Sequence, residues 1–155
     1  MLLVSFLACS LAMALDLTGS VFDQVGRVKG LDPVILYSVA LAESAYRPQA
    51  DGYISPYPFT LRTATRPYYF KTKKEAAKKL RELLQSTRSV DVGPMQINVK
   101  WHSHRVKNVE DLLDTETNIR VAADILNERL RANNNDWLAA LGQYHSFDAE
   151  RSAWY

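Results

Sequence analysis

Gly30-Leu31-Asp32-Pro33 constrains this chain more than any other stretch, because it closes one helix and opens the next with no room for a loop between them. Glycine just past an amphipathic run stops a helix, while Asp at the cap and Pro at the first helical position start one. Upstream, Leu17, Val21, Val25 and Val28 recur at helical spacing, which predicts a first amphipathic helix turning these side chains inward. Downstream, ILYSVALAESAYRP predicts a second helix that ends near Arg47, since Pro48 disfavours helical geometry in the residue before it.

Glu43 is out of character in that second helix. Counting back by helical steps gives Ala40, Val39 and Leu36, so its carboxyl shares a face with apolar side chains. It also falls in the last turn, near the negative end of the helix dipole. Burial and dipole both disfavour the ionised form, so the expectation is a raised pKa, which suits a general acid.

The rest of the chain reads as further helices around one irregular insertion. Residues 51 to 70 carry Pro56, Pro58 and Pro67, many aromatics and a short alternation at Phe59, Leu61 and Thr63, the pattern of an irregular loop or short hairpin. KTKKEAAKKLRELLQ restores helical periodicity, with Ala76, Leu80, Leu83 and Leu84 on one face and a solvated lysine face opposite. SVDVGPMQINVKWH is broken by Gly93-Pro94 and is expected to be a loop leading into a short helix. Thr115 to Ala132 predicts a helix with Ile119, Ala122, Leu126 and Leu130 inward, ended by Asn133-Asn134-Asn135; Asp136 caps a last helix, WLAALGQYHS. These elements make a mainly α, single-domain protein with a short irregular or β-hairpin insertion.

A net charge of +2 is too small and too dispersed for a nucleic-acid binder, so none is expected as partner. Residues 1–14, MLLVSFLACSLAMA, read as a secretory signal: a short apolar run ending in Ala12-Met13-Ala14, too short to span a bilayer. The usual Lys or Arg after the first Met is missing, and a buried first helix of a cytosolic domain is the competing reading. Cys9, the only cysteine, lies in this run, and its acylation ranks below simple cleavage. A cysteine-free mature chain over 15–155 fits an extracytoplasmic compartment, here the periplasm.

Three segments in order resemble the soluble lytic transglycosylase family of peptidoglycan-cleaving enzymes, which share the lysozyme-like fold with goose-type lysozymes. ALAESAYRP is similar to the family's Glu-Ser motif, GPMQIN to its Gly-Leu-Met-Gln motif, and NIRVAADIL with ALGQYHS to its Asn-Ile helix and closing Tyr-Asn motif. Pro94 stands where the family has Leu, and His145 where it has Asn. The resemblance implies Glu43 as catalytic acid/base and Tyr144 as the residue that orients it. It implies Ser44, Gly93, Met95, Gln96, Asn98 and His145 as the substrate-binding set. Read on their own, Ser44 is equally a helix-end hydroxyl, Met95 a core side chain, and Gln96 and Asn98 loop-stabilising amides. His145 keeps a polar, hydrogen-bonding group at the family's Asn position. The long insertion resembles that of transglycosylases carried by conjugative elements and secretion systems, which implies such an apparatus as a partner of a monomeric enzyme.

Glycoside cleavage normally uses two carboxylates. In the resembled family a single acid protonates the glycosidic oxygen and then deprotonates the muramic acid C6 hydroxyl, which closes a 1,6-anhydro ring without cofactor or metal. His102 and His104 lack a third ligand at metal-binding spacing. Asp91 is the candidate second carboxylate; facing Glu43 it would activate water and make the protein a lysozyme-type hydrolase. Its alternative is to accept from the turn amides of Val92 and Gly93. A non-catalytic wall-binding assembly module is the third reading.

Overall fold

The computed structural model describes residues 15–47 and 52–145, so the signal over 1–14 and Pro48 lie outside the described residues. The Gly30–Pro33 junction behaves as its chemistry requires. Helix α1, Val21–Lys29, is capped by Ser20 and ends at Gly30, whose φ of 67° is left-handed. Helix α2, Pro33–Ser44, follows at once, its Asp32 carboxylate accepting from the Val34 amide at 2.7 Å. Two expectations need correcting here. Val28 is 80% exposed, while Phe22 takes the buried place on α1 and meets Tyr37 edge-on at 5.3 Å. Helix α2 stops at Ser44 rather than near Arg47, because Ala45–Tyr46 turns into strand β1 and pairs with β2, Ser55–Pro56.

The insertion is a hairpin, β3 Thr60–Arg62 with β4 Pro67–Tyr69. It joins a second hairpin where the Gly93-Pro94 break predicts a loop: β5 Asp91–Val92 and β6 Ile97–Asn98, flanking Gly93-Pro94-Met95-Gln96. The four antiparallel strands lie in the order β4-β3-β5-β6, with Leu61 opposite Val92 and Asp91 opposite Asn98. Two-residue strands carry too little alternation to be seen as period-two patterns, and their partners come from elsewhere in the chain.

Helix α3, Lys73–Leu83, opens with a complete capping box between Thr72 and Glu75 and buries Ala76, Ala77 and Leu80. The short helix α4, Val99–His102, leads into the 3-10 turns Ser103–Arg105 and Val109–Leu113. Helix α5, Thr115–Ala132, is the axis of the molecule, packed against α1, α6 and the second 3-10 turn, and it buries Ile119, Ala122, Ile125 and Leu126 on its inner face. Asn134 and Asn135, at φ 53° and 65°, reverse the chain into α6, Trp137–His145, where Asp136 accepts from the Leu138 and Ala139 amides. Asparagine tolerates this left-handed geometry better than other non-glycine residues. Among the described residues no helix is long and apolar enough to cross a membrane.

Candidate active site

The end of α2 and the β5–β6 turn are locked together by Ser44. Its hydroxyl is buried, 2.8 Å from the Pro94 carbonyl and 2.9 Å from the Ala40 carbonyl, and it accepts from the Tyr57 amide at 3.2 Å. The turn is held from the other side by Asn118 of α5, which is fully buried. Its Oδ1 accepts from the Met95 amide at 2.9 Å, and its Nδ2 donates to the Val92 and Leu112 carbonyls, both at 2.8 Å. Gly93 at φ 76° fits against this amide so closely that a Cβ would stand 2.6 Å from Asn118 Nδ2. Only glycine meets both demands, conformational and steric. Gln96 is then held at φ 47°, its Nε2 donating to the Gly93 carbonyl at 2.9 Å. From α6, the Tyr144 hydroxyl donates to the Met95 carbonyl at 2.8 Å.

Over this turn lies a cavity of about 800 Å³ whose walls include Glu43, Asp91, Gln96, Asn98, Tyr144 and His145. The Glu43 side chain is only 10% exposed, and its Oε1 stands 3.2 Å from Nδ1 of His145, which is 40% exposed. The residue at the family's Asn position is therefore in direct contact with the carboxyl. Ser44, Gly93 and Met95 are buried beneath the cavity rather than on its walls, and they act by placing the turn. Asn98 lines the cavity with both ends of its amide engaged, Nδ2 on Asp91 at 2.7 Å and Oδ1 on the Lys100 amide at 3.0 Å.

Asp91 does not sit as the turn reading expected. Its carboxylate accepts from Asn98 across the strand pair, and the Gly93 amide goes instead to the Thr60 carbonyl at 2.9 Å. Burial pushes the Asp91 carboxyl up from its ordinary value, against the Asn98 hydrogen bond and the charges of Arg62 and His145. Thus two carboxyl groups line one cavity.

Several wall residues were missed by sequence reasoning: Arg62, Trp101, Arg105, Arg129 and Gln143. They come from five different elements, and apart from Gln143, which lies inside ALGQYHS, nothing local marks them. Arg105 grips Glu128 with two bonds of 2.8 and 2.6 Å and donates to His102 Nδ1 at 3.3 Å. That geometry leaves His102 an acceptor, and burial, with the Arg105 charge second, lowers its pKa to about 4. Asn118 was missed as a site residue too, although a polar side chain next to Ile119 on an inward face was a visible signal. No group of three or more His, Cys, Asp or Glu able to hold a metal ion occurs among the described residues.

Comparison with curated proteins and with solved structures found no match. A family model does match: the transglycosylase SLT domain, over residues 20–154, a span that takes in α1 and α2, both hairpins and α6. Mainly helical, with small sheets beside a carboxyl-bearing cavity, the chain belongs to the transglycosylase SLT domain family, whose substrate is peptidoglycan.

Proposed function

We propose that the protein is a peptidoglycan lytic transglycosylase that cleaves the β-1,4 bond between N-acetylmuramic acid and N-acetylglucosamine without water, with Glu43 as acid and base. The observation that carries this reading is the shielded Glu43 carboxyl on the cavity wall, with His145 as its neighbour. In the first step the Glu43 proton passes to the glycosidic oxygen and the C1–O bond breaks, the substrate's acetamido oxygen assisting at C1. In the second, the Glu43 carboxylate takes the proton of the C6 hydroxyl as that oxygen bonds to C1, closing the 1,6-anhydro ring and restoring the acid. His145 Nδ1 suits both states, since it accepts from a protonated carboxyl in one tautomer and donates to a carboxylate in the other. Tyr144 gives its only hydroxyl proton to Met95, so toward any further partner its oxygen is an acceptor.

Mass spectrometry of digested sacculi tests the reaction: anhydro-muramic ends are expected from the wild type and none from Glu43→Gln. Wall-lytic activity undiminished in Glu43→Gln would remove Glu43 from the chemistry, and sacculus binding without any cleavage would favour the assembly-module reading. Asp91 supports one rival, a lysozyme-type hydrolase, because it lines the same cavity as Glu43. Digestion in ¹⁸O water decides between them, since only the hydrolase labels the new reducing end. We place the enzyme in the periplasm on the strength of the signal-like residues 1–14. The Pro- and aromatic-rich insertion supports service to a conjugation or secretion apparatus.

A further inference from the structure

Trp101 is the largest side chain left to solvent on the cavity wall, 63% exposed. Single exposed apolar residues are ordinary on a protein surface, but an indole presented to a cavity beside a glycosidase-type carboxyl is a different matter. Its backbone is fixed. Asn98 caps α4 by accepting from the Lys100 amide and is itself tied to Asp91, while Val99 is fully buried. The ring is thus carried on a short helix anchored to the sheet that bears Asp91. Lys100 Nζ lies 4.6 Å from the indole centroid, a cation over the ring that restrains it, while 63% of the residue stays exposed. The same cavity wall carries hydrogen-bonding groups, Gln96, His104 and Gln143.

We propose that Trp101 is a stacking platform for an N-acetylhexosamine ring of the glycan strand, a binding subsite on the wall of the cavity that holds Glu43; the proposal rests on the glycan-cleaving reading above. A pyranose chair presents a face of C–H groups, weakly positive and apolar, which matches the negative face of an indole, while its rim of hydroxyl and acetamido groups suits the polar walls. A sugar ring is the partner, because the recognising element is an aromatic face, which matches the C–H face of a pyranose. The platform holds the polymer and takes no part in proton transfer.

The test uses the Glu43→Gln protein, so that ligand is not consumed, and chitotetraose as a neutral probe of the sugar chain. Titration calorimetry is expected to show binding weakened roughly tenfold by Trp101→Ala and largely retained in Trp101→Phe, a loss of the size that aromatic stacking supplies. Tryptophan emission is expected to change on binding and to lose that change in Trp101→Phe, although Trp137 and Trp154 remain. In the active protein, Trp101→Ala should raise KM for sacculi more than it lowers kcat, with thermal unfolding unchanged. Equal affinity of Trp101→Ala and its parent, or no binding by either, overturns the platform. Anhydro products with unaltered KM in Trp101→Ala would sink the platform and leave the transglycosylase reading intact. Weakened binding without anhydro products from the wild type would do the reverse.

Discussion

Asn118→Ala tests the claim that one buried amide shapes the floor of the site. The fully buried side chain satisfies three backbone groups, the Met95 N–H and the Val92 and Leu112 carbonyls. Truncation leaves all three without that partner, and a buried polar group stripped of its partner costs about 1–3 kcal/mol. Carbonyls suffer less than amides from such loss, so the lower end applies, about 1 kcal/mol each and about 3 kcal/mol together. For a chain of this size that corresponds to a fall in Tm of roughly 6–12 °C, at roughly 2–4 °C per kcal/mol. Thermal and urea unfolding followed by circular dichroism measure it directly. Activity should fall further than the folded fraction at low temperature, because the turn that carries Gln96 at φ 47° loses its inner support. Asn118→Asp keeps the acceptor for Met95 but loses both donations, and should be no more stable than Asn118→Ala. A Tm drop under roughly 2 °C for Asn118→Ala would refute the reasoning, since about 3 kcal/mol cannot show as so small a shift.

Gly93→Ala meets the same amide from the other side: left-handed geometry costs a non-glycine residue about 1–2 kcal/mol, and the new Cβ 2.6 Å from Asn118 Nδ2 adds a clash, so a loss of at least about 2 kcal/mol is expected by urea unfolding. His102, with its folded pKa near 4 against 6.5 in the unfolded chain, stays neutral in the native state while the unfolded state takes up a proton. Stability from this group is therefore present above pH 6.5 and lost as pH falls toward 4. Its partial exposure limits the loss to about 1–2 kcal/mol, and His102→Gln should flatten the difference between unfolding curves at pH 7 and pH 4.5. Val28→Ser should change stability by less than about 0.5 kcal/mol, whereas Phe22→Ala should cost about 3 kcal/mol; similar values for the two would contradict the orientation of α1.

What the sequence determined by itself is local. The junction at Gly30–Pro33, the capping residues Asp32 and Asp136, and the span Thr115–Ala132 were legible because caps and helical periodicity act over a few residues. So was the oddity of Glu43, a carboxyl on an apolar face near a helix end. Tertiary structure decided the rest, through contacts that no local pattern encodes. His145 reaches Glu43 across 102 positions, Tyr144 reaches Met95 across 49, and Asn118 reaches Val92 across 26. Whether Val28 or Phe22 faces the core turns on how α1 rolls against α5, since both sit in an amphipathic run. Asp91 reaches the cavity because its two-residue strand finds Arg62 on one side and Asn98 on the other. Pairings of that kind are settled only when distant segments are brought together and must satisfy one another's buried polar groups.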